Sequence, residues 1–373
     1  MHCMIVAGAR PNFMKVAPII NQLESYAEVE TTLVHTGQHY DKNLSTVFFE
    51  ELEIKKPDIS LGVGSGSHAQ QTAAVMVAIE EQLLLKNSQD NAVDVLIVVG
   101  DVNSTLAASL AAAKLHVPIA HVEAGLRSRD RMMPEEINRL ATDAISDMHF
   151  CSEPAGKENL IAEGVDSSKI HLVGNVMIDT LLKQVNLAKK SSFLSKVGLS
   201  AERYGVVTLH RPSNVDHPAV LESILTEIAD LGNEIPMVFP VHPRTRSKIE
   251  EFGLSKALTD SKKMVILEPL GYRDFLCLTS QAKVIITDSG GLQEESTALG
   301  VPCLTMRSNT ERPITCTEGT STLIGNSALK LRQQLELVIS GKYKKGSCPA
   351  LWDGRAAERI ARILVTAFKP STD

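Results

Sequence analysis

Apolar and polar positions follow one recurring pattern along this chain. A short apolar run stops abruptly at a polar residue or a glycine, and a helix-like stretch follows. Met4-Ile5-Val6-Ala7 stops at Gly8-Ala9-Arg10, Val95–Val99 at Gly100-Asp101, and Ile119-Ala120-His121-Val122 at Glu123. Val206–Leu209 stops at His210-Arg211, Met237–Val241 at His242, and Val284–Thr287 at Asp288-Ser289-Gly290-Gly291. Runs of this length and composition predict buried parallel strands. Strands that alternate with helices predict a doubly wound α/β fold. In such sheets ligands sit beyond the carboxyl ends of the strands, so the residues at these stops are the first candidates for a site.

The pattern divides into two alternating sets. Strands are predicted near residues 4–7, 31–34, 95–99, 119–122, 148–150 and 170–173, then near 206–209, 237–241, 264–267, 284–287 and 302–306. Thr105–Leu115 reads as an Ala- and Leu-rich helix with Asn103 or Ser104 as its cap. Val176–Ala188 reads as a helix that leads into the polar stretch Lys189–Gly205. The expectation is two Rossmann-like domains, residues 1–175 and 176–355. The last helix-like segment, about 356–373, is a candidate to pack back on the first.

Composition narrows the function classes. With 373 residues, 43% of them hydrophobic, the chain is long enough for two packed domains. A net charge of -6 argues against nucleic-acid binding through a broadly basic face. The start Met1-His2-Cys3 lacks the features of a signal peptide. No apolar stretch approaches the ~20 residues of a membrane span. The six cysteines are scattered with no C-x-x-C pair, which reads as buried reduced thiols in a cytoplasmic protein, with no metal site.

Asp288-Ser289-Gly290-Gly291-Leu292-Gln293-Glu294-Glu295 follows a strand and opens a helix. Glycines there let a backbone approach a ligand, and free N–H groups at a helix start favour phosphate. Glu295, about one turn in, is placed to hydrogen-bond a ribose diol. Arg312, after the next strand, is a second phosphate candidate. Gly8-Ala9-Arg10-Pro11-Asn12-Phe13-Met14-Lys15 also follows a strand, and Arg10 and Lys15, about a turn apart, are both placed to face the crevice; a solvated surface charge is the alternative for either, and for Lys15 alone the two readings are even. Asp101 and Glu123 end consecutive strands, which suits acid/base work or sugar hydroxyls, with helix capping a further role for Asp101. In Pro134-Glu135-Glu136-Ile137-Asn138-Arg139, Glu135 fits an ordinary helix start, and Glu136 and Arg139 share a face and can pair. His210, at the end of a strand, suits proton transfer near neutral pH, and His242-Pro243-Arg244 is a weaker parallel.

Taken in order, the segments G-A-R-P-N-F-M-K, H-T-G-Q-H, G-D-V-N-S-T, H-V-E-A-G-L-R, P-E-E-I-N-R, G-N-V-M-I-D-T, L-H-R-P-S-N, D-S-G-G-L-Q-E-E and T-E-R-P resemble the non-hydrolysing UDP-N-acetylglucosamine 2-epimerases. The resemblance runs from Gly8 to about Gly325. It implies a GT-B-like arrangement of two Rossmann-like domains facing a cleft. It also implies C2 epimerisation of a UDP-sugar through elimination and re-addition of UDP, no cofactor, and a homodimer. By position, Arg10, Ser289, Gly290, Gly291, Glu295 and Arg312 match the UDP-binding set. Phe275 falls where the family places a ring near the uracil, and His242 lines the same cleft. Lys15, Asp101, Glu123, Glu136 and His210 match residues assigned to catalysis. The sequence departs from well-known bacterial members at Ala9, Asn12-Phe13, the Arg-Pro-Ser-Asn after His210, and Tyr40-Asp41 after Gln38-His39; the loop between Arg127 and Pro134 is two residues shorter. Several bacterial members bind a second UDP-N-acetylglucosamine in the Gln38-His39 region as an activator, and the departures there argue against that site. Relatives acting on UDP-2,3-diacetamido-2,3-dideoxyglucuronic acid share the Gly-Ala-Arg-Pro start, so the substituents at C3 and C6 stay open. A GT-B glycosyltransferase is a rival reading.

Overall fold

The computed structural model describes residues 1–8, 10–37, 55–89, 91–256 and 263–368, and the side chains of Arg10 and Pro11 lie outside that description. Two expectations therefore rest on undescribed groups: phosphate contact by Arg10, and the departures at Ala9 and Gln38–Asp41. The chain forms two compact units, Met1–Thr180 with Ala350–Asp373, and Leu181–Pro349.

Among the described residues, the first unit holds a seven-stranded parallel sheet. Its strands are β1 (His2–Ala7), β2 (Glu30–His35), β3 (Ile59–Ser60), β4 (Val95–Val99), β5 (Ile119–Val122), β6 (Met148–Cys151) and β7 (Ile170–Leu172), in the order β3-β2-β1-β4-β5-β6-β7. The central strands are apolar on both faces because helices cover both faces of a parallel sheet, and β1 and β4 are buried throughout. Ala107, Ala108, Ala111 and Ala112 of the helix Asn103–Lys114 pack with Met4, Val6, Leu96 and Val98, where small side chains let the helix lie close to the sheet. The terminal helix Ala356–Ala367 lies in this unit against Arg10–Leu23, burying Ile360, Leu364 and Val365. Its start is held by Asp179, whose carboxylate accepts the N–H groups of Ala356 and Ala357 at 3.1 and 2.8 Å.

The second unit repeats the plan with six strands among its described residues. These are β8 (Gly205–Thr208), β9 (Met237–Pro240), β10 (Met264–Leu267), β11 (Val284–Thr287), β12 (Cys303–Thr305) and β13 (Ser321–Leu323), in the order β10-β9-β8-β11-β12-β13. Val207, Phe239 and Ile286 from the sheet pack with Leu225 and Ile228 of the helix Pro218–Leu231 and with Leu335 of the helix Ala328–Ile339. In each sheet the strand order reverses once, between β1 and β4 and between β8 and β11. That reversal opens a crevice at the carboxyl ends of the strands, the place where doubly wound sheets bind ligands.

One local expectation is corrected, and one even choice is resolved. Neither Asn103 nor Ser104 caps its helix: the cap position is Val102, with no side-chain cap bond, and Asn103 is already helical. The Asn103 amide is engaged instead with His68, Gln71 and Asn138, so a tertiary network takes the side chain that a cap would have used. Lys15 is not a solvated charge but is buried against Glu123. The short strands β3 and β13, of two and three residues, carry Ser and Thr and lack a clear apolar run.

Candidate functional site

In the first unit, backbone pairing brings two of the run-ending residues side by side. Gly100 N–H bonds the Val122 carbonyl at 3.0 Å, and Glu123 N–H bonds Phe150 at 3.0 Å, so the ends of β4, β5 and β6 lie in register. Both turns need a left-handed backbone, with φ of 72° at Gly100 and 69° at Glu123. At Glu123, a side chain other than glycine's bears that strain. Its Oε2 meets Lys15 Nζ at 2.5 Å. Its other oxygen, Oε1, is buried and receives no hydrogen bond among the described residues. A Cβ at Gly100 would come within 3.4 Å of Glu123 Oε2 and 3.5 Å of Lys15 Nζ, so the glycine keeps room beside the pair.

Asp101 and Glu136 form a second group. Arg139 links them, with contacts of 2.5 Å to Asp101 Oδ2 and 2.7 Å to Glu136 Oε2. The helix Pro134–Ile145 places Glu136 and Arg139 on one face, as their spacing predicts, and Glu136 lies in its first turn, where a carboxylate is favoured. Burial would raise the Glu136 carboxyl, but hydrogen bonds from the Ser128 and Arg129 N–H groups, from Arg139 and from the Ser128 hydroxyl hold it below its ordinary value. Glu136 is therefore a fixed anion near neutral pH, whereas Asp101 is about a quarter exposed, with 27% side-chain accessibility.

In the second unit, the residue that organises the site is one the sequence places at a strand end without giving it a role of its own. Asp288, at the end of β11, is fully buried. Its carboxylate accepts the N–H groups of His210 and Arg211 at 2.9 and 2.8 Å, the Asn214 amide at 3.0 Å, and His210 Nδ1 at 2.8 Å. Burial would raise this carboxyl; the His210 imidazole and the other donors outweigh it and keep Asp288 ionised. An ionised Asp288 fixes hydrogen on Nδ1 of His210 and leaves Nε2 as the basic atom. The signal in the sequence was positional: strands before and after the reversal are neighbours, so Asp288 after β11 falls beside His210 after β8. The His242 ring lies 5.4 Å from that of His210, centroid to centroid. Burial, and then the His210 charge, push the His242 imidazole below its ordinary value, and its Nδ1 accepts the Arg244 N–H at 3.2 Å.

Immediately after Asp288, the helix Gly290–Leu299 begins with Ser289 at its cap position, and the Ser289 side chain makes no cap bond. The first N–H groups of such a helix suit an anion. Gly290 is a close-approach position: a Cβ there would lie 2.8 Å from Arg312 and 3.0 Å from Glu311. Arg312 is clamped by two carboxylates, with Nε 2.6 Å from Glu294 and a further bond to Glu311. Glu311 also holds Arg307 at 2.7 Å. Gly291 is half-buried in the same turn, and Phe275 is half-buried on the helix Tyr272–Ser280. No group of three or more His, Cys, Asp or Glu side chains able to hold a metal occurs among the described residues. Nor is any described helix long and apolar enough to cross a membrane.

Glu295 is buried beside Glu294, and burial, with that neighbouring carboxylate, pushes it up to about 8. From the ordinary value of 4.5 up to about 8, the unfolded chain has released this proton while the folded chain keeps it. Stability therefore falls as pH rises through that window and levels off above it. Glu295→Gln is expected to remove this slope, on the order of a few kcal/mol across the window. Thermal unfolding at a series of pH values checks it, and an unchanged difference between pH 5 and pH 8 would count against a protonated Glu295.

Comparison with known proteins adds the following. The family profile described as UDP-N-acetylglucosamine 2-epimerase matches residues 21–365. A UDP-N-acetylglucosamine 2-epimerase of Methanocaldococcus jannaschii is 41% identical over 370 residues, 98% of this chain and 99% of that protein. A UDP-2,3-diacetamido-2,3-dideoxy-D-glucuronate 2-epimerase of Pseudomonas aeruginosa is 38% identical over 368 residues, 98% of this chain and 99% of that one. The crystal structure of the Methanocaldococcus jannaschii UDP-GlcNAc 2-epimerase in complex with UDP-GlcNAc and UDP superposes with a TM-score of 0.89 at 40% identity, covering 98% of this chain and 100% of that one.

Proposed function

The chain belongs to the UDP-N-acetylglucosamine 2-epimerase family, and from that premise we propose that it interconverts UDP-N-acetylglucosamine and UDP-N-acetylmannosamine by reversible inversion at C2. The observation that carries the proposal is Asp288: it orients the His210 base and is followed directly by the Ser289-Gly290-Gly291 helix start. One residue thus ties a proton-transfer group to an anion-binding turn, and a reaction that both releases a diphosphate and moves a proton needs the two together.

The C2 proton of the sugar is not adjacent to a carbonyl, so direct removal is hard. Breaking the C1–oxygen bond first gives oxocarbenium character at C1 and acidifies C2–H. UDP then departs as an anion. The helix start at Ser289, Gly290 and Gly291, with Arg312 and Arg10, is assigned to its phosphates. Glu295 is assigned to the ribose and Phe275 to the uracil, with His242 beside them. Loss of the C2 proton yields 2-acetamidoglucal. Reprotonation from the other face and return of UDP to C1 complete the inversion. Two faces call for two proton-transfer groups, and these are assigned to His210 and to one of Asp101, Glu123 and Glu136, with Lys15 paired to Glu123. The leaving and returning group is the substrate's own UDP, so the chemistry calls for no cofactor. A homodimer working in the cytoplasm is part of the same proposal, on the family resemblance.

Turnover in deuterated water is expected to place deuterium at C2 of the product, read by NMR with no acceptor present. Unlabelled product would remove proton exchange from the reaction. Unchanged UDP-N-acetylglucosamine would remove epimerisation of that sugar and favour the acceptor-dependent glycosyltransferase. The 38% identity to the diacetamido-glucuronate epimerase favours a second substrate reading, which a panel of UDP-sugars in the same assay decides.

A further inference from the structure

His121 sits within β5, fully buried, in the middle of an otherwise apolar strand. Its Nε2 lies 2.9 Å from the Gly100 carbonyl oxygen and its Nδ1 2.6 Å from Asp143 Oδ1. Both partners are acceptors. The Asp143 carboxylate is itself saturated by donors: it also receives the Gly125 N–H at 3.0 Å and the Arg127 guanidinium at 2.7 Å. A ring held between two acceptors carries hydrogen on both nitrogens and is an imidazolium. Burial works against that charge, and the Asp143 carboxylate outweighs it.

The pair reaches three elements beyond β5. Gly100 is the residue before Asp101 in the turn after β4. Gly125 closes the turn after β5 that carries Glu123, with φ of 79°. Asp143 lies on the helix Pro134–Ile145 that carries Glu136. Each of the three carboxylates among which the second proton-transfer group falls is thus mounted on an element fastened to the same buried ion pair. We propose that the His121–Asp143 pair is a positioning device that sets Asp101, Glu123 and Glu136 in mutual register for proton transfer at C2. It rests on the reading of those carboxylates given under Proposed function. The pair touches no substrate itself.

Two measurements test this. In protein labelled with 15N in histidine, one imidazole, assigned by its loss in His121→Gln, is expected to keep hydrogen on both nitrogens from about pH 7.5 to 8.5, where an ordinary histidine is neutral. A neutral His121 in that range overturns the ion pair, whether or not the variants fold. His121→Gln and Asp143→Asn are expected to lower kcat about a hundredfold, the scale of a misplaced reacting group, with KM for UDP-N-acetylglucosamine and affinity for UDP within about threefold of the parent. Retained UDP affinity reports that the second unit is intact. A folded variant with kcat within about threefold of the parent overturns the positioning role. If the parent protein itself fails to epimerise any UDP-sugar, the functional reading falls and takes the catalytic register with it, while the titration still decides the ion pair.

Discussion

His210→Ala is expected to lower turnover about a thousandfold or more while UDP affinity stays within about tenfold, because the lost imidazole acts in the chemical step. The geometry gives this expectation a second arm. Asp288 holds the His210 ring through Nδ1 and holds the His210 and Arg211 backbone as well. Asp288→Asn keeps the shape but replaces an acceptor by a group that can also donate, so hydrogen is no longer fixed on Nδ1 and Nε2 is no longer reliably the base. Its turnover is expected to fall nearly as far as that of His210→Ala. Steady-state rates with UDP-N-acetylglucosamine, paired with calorimetric titration of UDP, check both variants. Near-parental turnover in His210→Ala would take the imidazole out of the mechanism. An unimpaired Asp288→Asn would leave His210 in place but free of its partner.

Gly125→Ala is expected to be among the most damaging small substitutions in the first unit. Gly125 has φ of 79°, a conformation that carries a steric cost for any Cβ. The Cβ would also fall 2.2 Å from the Gly156 carbonyl oxygen, on the helix Pro154–Ala162. Backbone blocks the space, so no side chain can swing aside. Strain and overpacking together are expected to cost about 3 kcal/mol or more, a fall in melting temperature on the order of 10 °C. Gly164→Ala separates the two causes: its φ is 90°, but nothing lies within 4 Å of the added carbon. That variant is expected to lose only about 1 kcal/mol. Equal losses in the two would mean that close packing at Gly125 contributes nothing.

The strands were legible because a parallel sheet covered on both faces demands mainly apolar runs, and β1, β4, β5, β8, β9 and β11 each supply one. The same logic located site residues, since a run that stops at Asp101, Glu123, His210 or Asp288 stops at the carboxyl edge of a sheet. Pairings were harder to read. Lys15 and Glu123 are 108 positions apart, and the spacing of Arg10 and Lys15 suggested a shared crevice rather than a buried ion pair. His210 and Asp288 are 78 positions apart, and only the strand order makes them neighbours. His121 carried a signal that went unused: an imidazole inside Ile-Ala-His-Val must find polar partners, and those are Gly100 and Asp143. Asn103 misled in the opposite sense, because cap preference is a local rule and its amide is committed to residues on two other helices.

The chain leaves the first unit at Thr180 and rejoins it only at Ala350, to supply the helix that packs on Arg10–Leu23. During synthesis on the ribosome, the intervening segment is complete before its host is. For the whole interval in which residues 181–349 emerge, the apolar side of the first helix waits for Ile360, Leu364 and Val365. A nascent chain arrested just before residue 350 would therefore present a finished second sheet and a first unit with an open apolar seam.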